Sequence, residues 1–269
     1  MTEIGKHSLR AAVAASLMVA ASAQAQTCAI DNPGKIGVGT WPVNGPTAQD
    51  HNLWQLRLNW WYDWQPTPTS TRWGYVPMIW SPAYINYAAS APGRTLLTFN
   101  EPDNKDQANM TPQQAIAWWP QLMATRKRLS SPAVQTGNEL GSKWLGVFME
   151  EAKRLNYRVD FIAVHYYPTT PSVTAFKTYL EDIHKAYGKP IWVTEWSLAD
   201  WKNQTRFTAA QQAAFYNEAT EMMDDLPYVE RHAWFGLYPG MDGWNINSEL
   251  ITANNRSVVG NAFRAKVLC

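Results

Sequence analysis

Two short segments of this chain place a glutamate where an apolar run gives way to polar residues. One reads Leu96-Leu97-Thr98-Phe99 into Asn100-Glu101-Pro102-Asp103, and the other reads Ile191-Trp192-Val193-Thr194 into Glu195-Trp196-Ser197. Each apolar run has the β-branched and aromatic character of a buried strand, so both carboxyl groups stand at strand ends. Two carboxyl groups are what glycosidic cleavage requires, one to protonate the leaving oxygen and one to attack the anomeric carbon or activate water. A lone glutamate at a strand end serves equally well in a salt bridge or as a helix-cap partner. A pair, each flanked by Asn or Trp, favours chemistry.

Other chemistries find less support. The five histidines are scattered with no His-x-x-x-His spacing, so no metal site is expected. No Gly-x-Ser-x-Gly turn offers a serine nucleophile. Charged residues make up only 17% of the chain, the net charge is +1, and no Lys/Arg block stands out, which disfavours nucleic acid or an acidic membrane surface as partner. Fifteen Trp and twelve Tyr are the compositional outlier. Their flat faces and single polar edges suit the alternating C–H and O–H surfaces of sugars, or simply a large core.

The carboxylates can cooperate only if the fold holds them together. Short β-branched or aromatic runs alternate with longer amphipathic stretches, the order of parallel βαβ units. Eight strand candidates follow: Lys35–Trp41, Trp54–Trp64, Tyr75–Trp80, Thr95–Asp103, Ala133–Glu139, Asp160–Pro168, Pro190–Ser197 and Arg231–Pro239. Helices are expected at Thr111–Leu129, Leu140–Leu155, Ser172–Tyr187, Thr208–Leu226 and Ser257–Leu268, with a short one near Tyr84–Ser90. This is an α/β tally for a single-domain (β/α)8 TIM barrel over residues 26–269, in which catalytic groups come from the C-terminal ends of strands. Glu101 then closes the fourth strand and Glu195 the seventh.

On these segments the chain resembles clan A glycoside hydrolases. The longer stretches Thr98-Phe99-Asn100-Glu101-Pro102-Asp103, Val164-His165-Tyr166-Tyr167 and Trp192-Val193-Thr194-Glu195-Trp196 are similar to glycoside hydrolase family 128, from Lys35 to the last helix. The resemblance implies a retaining β-1,3-glucanase acting on a polysaccharide without cofactor or metal. It implies Glu101 as general acid/base, Glu195 as nucleophile, and Asn100 as the partner of the sugar 2-hydroxyl. A His-x-Tyr pattern like the clan's puts the Tyr167 hydroxyl on Glu195, with His165 lining the same floor; a core role for either is the alternative.

Trp234 on the eighth strand is the candidate ring beneath the sugar, with Phe235 in its place if strand alternation runs the other way. Trp41, Trp61, Trp80 and Trp196 could line flanking subsites or belong to the core. Glu139 and Asp63 could contact hydroxyls or form ordinary salt bridges and caps. Asp103 is expected to fix the loop that carries Glu101. A proton donor needs a raised pKa, which burial against Phe99 would supply, while a nucleophile needs hydrogen-bond donors to stay ionised.

Two alternatives remain: the same machinery on another β-linked polysaccharide, or a non-catalytic glycan-binding barrel, which the presence of both carboxylates disfavours. The N-terminus has Lys6, His7 and Arg10, then an apolar run Ala11–Ala20, then Ala23-Gln24-Ala25, the pattern of a secretory signal peptide ending at Ala25. A secreted monomer follows as the expectation. Its two cysteines, Cys28 and Cys269, would pair in an oxidising compartment and tie the ends of the chain together.

Overall fold

The computed structural model describes residues 34–43 and 45–267. The signal-peptide segment 1–25 and both cysteines, Cys28 and Cys269, lie outside the described residues. The strands are β1 (Ile36–Gly39), β2 (Trp60–Tyr62), β3 (Thr95–Leu96), β4 (Arg128–Leu129), β5 (Ile162–Tyr166), β6 (Ile191–Trp196) and β7 (Val229–Phe235). Extended residues 75–80 carry a further strand position between β2 and β3, through parallel bridges Trp61 to Tyr75 and Met78 to Leu97. Parallel ladders join β1 to β2, β3 to β4, β5 to β6, β6 to β7 and β7 back to β1. Bridges from Asn100 to Ala133 and from Ser130 to Phe161 complete the ring. Every strand position has two parallel neighbours, which is a closed (β/α)8 barrel.

Helices α1 (Pro46–Leu56), α2 (Pro112–Ala124), α3 (Trp144–Arg154), α4 (Val173–Tyr187), α5 (Ala209–Asp224) and α6 (Val258–Val267) surround it. Thr111 and Thr208 close capping boxes with Gln114 and Gln211, and Ser172 caps α4, which is why these starts agree with the sequence reading. Several boundaries differ, and the helix expected at Leu140–Leu155 runs from Trp144 to Arg154. The expected strand Trp54–Trp64 begins only at Trp60, because residues up to Leu56 form α1. That helix buries Gln49 and Asn52 along with Leu53 and Leu56, so no clean apolar stripe announces it. The expected strand Ala133–Glu139 lies earlier, from Arg128 through the Ala133 bridge, and the preceding helix stops at Ala124 rather than Leu129.

Side-chain alternation splits the apolar residues into two cores. Trp60, Tyr62, Val76, Met78, Leu97, Phe161, Trp192 and Ala233 fill the barrel. The opposite faces of the same strands pack against the helices in a larger layer. Gly37 is required on β1 because a Cβ there would come within 2.5 Å of the Trp60 indole that occupies the centre. A short antiparallel hairpin, β8 (Ile251–Thr252) with β9 (Asn255–Arg256), precedes α6. Among the described residues no helix is long and apolar enough to cross a membrane.

Candidate active site

A cleft of about 1010 Å³ opens at the C-terminal ends of the strands, and Glu101 and Glu195 both line it. Each reaches it through a local departure from regular geometry. Glu101 follows β3 with φ of 39°, in the left-handed region, held by its own N–H donating to Ala133 O at 2.7 Å. Strain of this kind persists only where neighbouring contacts enforce it. On β6 the pairing register shifts between Val193 and Trp196, a bulge that turns Glu195 toward the mouth and sends Trp196 outward.

His165 stands between the two carboxylates and is wholly buried. Its Nδ1 lies 3.0 Å from Glu101 Oε1 and its Nε2 3.4 Å from Glu195 Oε1. One ligand-type atom from each of the three residues falls within 4.8 Å of the others, so the two carboxyl groups approach that closely. Glu195 is 7% exposed and accepts from Tyr167 Oη at 2.7 Å, Trp64 Nε1 at 2.8 Å and, at 3.4 Å, Tyr62 Oη. Glu101 accepts from Asn104 Nδ2 at 3.4 Å.

The electrostatics reverse the simple division read from sequence. Burial pushes the Glu101 carboxyl up, but the His165 hydrogen bond and charge, with Asn104, bring it below its ordinary value. Glu195 is held above its ordinary value, chiefly by burial and also by the Glu101 charge, against the opposing pull of His165, Tyr167 and Trp64. Burial alone would lower His165, yet the facing Glu195 and Glu101 raise it overall. The three groups are thus electrostatically linked, with His165 Nδ1 one hydrogen bond away from Glu101. Phe99 supplies none of the burial expected of it; its ring faces outward and packs edge-on against Trp119 of α2.

The remaining sequence candidates divide. Asn100 lines the cleft, donates to Gln107 Oε1 at 3.2 Å, and has a buried Oδ1 without a partner among the described residues. Tyr167, Trp41 and Trp80 also line the cleft. Trp234 does not: it is fully buried behind the sheet, packs against Trp196 and Tyr216, and donates to Ser248 O at 2.7 Å. Alternation from Ala233 inside the barrel makes Phe235 the ring that faces the mouth. Trp196 and Trp61 are likewise core residues rather than cleft walls.

Glu139 lies outside the cleft, accepting from Tyr179 Oη at 2.6 Å and Gly137 N at 2.8 Å. Asp63 borders the cleft, but its oxygens are taken by Gln65 N, Thr69 N, Thr69 Oγ1 and Tyr75 Oη. Asp103 accepts from Gln135 N and Asn138 Nδ2, tying the loops after the fourth and fifth strand positions together.

Sequence reasoning missed Trp64, Trp201 and Trp244. Trp64 has φ of 57° and sits on the loop that Asp63 organises, its ring against Tyr62 and Trp41. Trp201 packs edge-on against both Tyr167 and Trp244 across the cleft rim. The only signal for Trp64 was its place just past the end of a strand.

The family model described as glycosyl hydrolase catalytic core matches residues 39–263. A solved structure of a subgroup I endo-β-1,3-glucanase of glycoside hydrolase family 128 from Amycolatopsis mediterranei, in complex with laminaritriose, superposes with a TM-score of 0.77. It is 37% identical, covering 86% of this chain and 98% of that one. The chain belongs to glycoside hydrolase family 128. A second family 128 structure, a subgroup III curdlan-specific exo-β-1,3-glucanase from Blastomyces gilchristii in complex with glucose, is 29% identical with a TM-score of 0.69, covering 87% of this chain and 98% of that one. The curated relative alkali-sensitive linkage protein 1 of Schizosaccharomyces pombe is 25% identical over 243 residues, 86% of this family 128 chain. The chain spans only 44% of that protein's length.

Proposed function

We propose that this protein hydrolyses β-1,3-glucan with retention of anomeric configuration, Glu195 acting as nucleophile and Glu101 as general acid/base. The observation that carries the mechanism is the approach of the two carboxyl groups to within 4.8 Å. Retaining glycosidases hold their carboxyls about 5–5.5 Å apart, whereas inverting ones leave roughly 6.5–9.5 Å for a water. The roles follow from hydrogen bonding. Glu195 accepts from Tyr167 and Trp64, donors that favour its ionised form, and Glu101 opens to the cleft with His165 at 3.0 Å.

In the first step Glu195 attacks the anomeric carbon while Glu101, 3.0 Å from His165 Nδ1, gives its proton to the leaving oxygen. The covalent glycosyl-enzyme is then opened by water, with Glu101 drawing off its proton. Asn100 Oδ1, buried and without a partner, is placed to accept from the sugar 2-hydroxyl, a bond that strengthens in the transition state. Trp41, Trp64 and Phe235 line one part of the cleft with aromatic faces, and Trp201 with Trp244 forms a second aromatic wall.

Specificity for the β-1,3 linkage is supported by the family 128 glucanases that share over a third of their residues with this chain. We also read the protein as an exported monomer whose Cys28 and Cys269 form a disulfide, on the strength of the signal-like N-terminus and the terminal placement of both cysteines. The test of function is incubation with laminarin, lichenan, pustulan, cellulose and mannan. Laminarin should be cleaved fastest, with the β-anomer first in the proton NMR spectrum of fresh product. Preferred cleavage of pustulan or mannan would refute the linkage, and initial α-anomer the mechanism.

A further inference from the structure

Outside the cleft, three arginines gather in a second concave place. A groove of about 520 Å³ on the outer helical layer is lined by His51, Trp54, Gln55, Arg57, Arg256 and Arg264. These come from α1 and the residue that ends it, from β9 and from α6. None of them lines the cleft.

Three guanidinium groups share this groove, and among the described residues no carboxylate forms an ion pair with any of them. Arg256 is oriented by Asn261 Oδ1 at 3.0 Å and Gln55 O at 3.4 Å, both uncharged. Arg264 Nη1 is shielded from solvent and has no hydrogen-bond partner among the described residues. Burial, then the like charges of Arg57 and Arg256, all oppose its protonated form. Such a cluster is relieved by an anion, which would take up guanidinium donors through charge-assisted bonds.

Trp54 adds a different requirement. It is 56% exposed, among the largest such values for a big apolar side chain here, yet its ring is not loose. The Arg72 guanidinium lies 4.4 Å from the Trp54 ring centroid and 4.1 Å from that of Trp73, pinning the indole from one side. A fixed indole bordering a basic groove offers one apolar platform and several anion donors, the complement of a pyranose ring that bears a negative group.

We propose that this groove binds a saccharide carrying an anionic substituent, a carboxylate or a phosphate, with the sugar face on Trp54 and the anion on Arg264, Arg256 and Arg57. The cleft is of the opposite character. It is lined by Asp63, Glu101, Asp106 and Glu195 with no Lys or Arg, so it disfavours the same ligand. The groove thus holds the protein to an anionic glycan while the cleft acts on a neutral one, and its binding stands whether or not the cleft's linkage is the one proposed above.

The test is calorimetric titration of the full chain at low ionic strength with trigalacturonate, glucose 6-phosphate, inorganic phosphate and laminaritriose. At least one anionic saccharide should bind in a salt-sensitive way, undisturbed by saturating laminaritriose, and which of them binds identifies carboxylate or phosphate as the source. Arg264→Gln and Trp54→Ala should each weaken that binding by about tenfold or more, the equivalent of ~1.4 kcal/mol, with laminarin hydrolysis unchanged. Arg256→Gln, on the exposed hairpin, gives the same readout should either variant fail to fold. Absence of binding by both anionic saccharides, or binding that none of the variants weakens, would overturn the site. Inorganic phosphate binding as tightly as glucose 6-phosphate, with Trp54→Ala without effect, would overturn the saccharide assignment.

Discussion

Replacing Trp64 by Phe removes one N–H from the nucleophile while leaving an aromatic ring among Tyr62, Trp41 and Phe235. The lost bond is the 2.8 Å contact from Nε1 to Glu195 Oε1, made to a carboxylate that is 7% exposed. A hydrogen bond to a charged group contributes about 1.5–3 kcal/mol. At ~1.36 kcal/mol per pH unit, its loss raises the Glu195 pKa by about 1–2 units. The sign follows from the donor favouring only the ionised form: without it protonation is easier, and the carboxyl, already raised by burial, rises further.

Glu195 must be ionised to attack, so the acidic limb of kcat/KM should move to higher pH by that amount. The alkaline limb reports the proposed acid Glu101, whose hydrogen-bond partners among the described residues are His165 and Asn104 and not Trp64, and should stay in place. The assay is kcat/KM on a laminari-oligosaccharide across pH, with thermal unfolding to verify that the variant is folded. An acidic limb at the wild-type position in a folded variant would refute the argument and leave Trp64 only a wall of the cleft.

Glu195→Gly should abolish hydrolysis and, with azide, yield an α-glycosyl azide, whereas azide with Glu101→Ala should give the β-product; the opposite pattern, read by NMR, would exchange the two roles. Asn100→Ala should keep the fold and lower glycosylation by about 10²-fold, since hydrogen bonds to the 2-hydroxyl supply several kcal/mol in the transition state. Near-wild-type turnover would remove Asn100 from the mechanism. Titration of the unfolded, unreduced mature protein with a thiol reagent should find no free cysteine, and two reactive thiols would disprove the Cys28–Cys269 bridge. In the chain-entropy model that bridge is worth up to ~5 kcal/mol, so its reduction should lower the melting temperature.

The sequence by itself located most of the elements and singled out the two glutamates. Apolar runs around Leu96–Phe99 and Ile191–Thr194 marked strands because buried parallel strands are nearly continuously apolar, and the glutamate that breaks each run stands at or beside the strand's end. Capping residues Thr111, Ser172 and Thr208 located helix starts for an equally local reason. Local signals failed at α1, whose inner face carries Gln49 and Asn52; Asn52 bonds Tyr238 Oη and Asn254 Oδ1, partners about two hundred residues away.

Which way a side chain points at a strand end was decided only by the tertiary structure. Register shifts on β5 and β6 placed His165, buried, beside both carboxylates, sent Glu195 to the mouth and Trp196 into the outer core, and alternation on β7 exchanged the expected Trp234 for Phe235. A one-residue shift reverses the face of every side chain beyond it, and the shift itself arises from pairing with neighbouring strands, not from the strand's own residues. The electrostatic environment has the same origin: His165 lies between Glu101 and Glu195 only because three strand ends meet in the closed ring, so the imidazole that opposes the burial of both carboxyl groups comes from another strand.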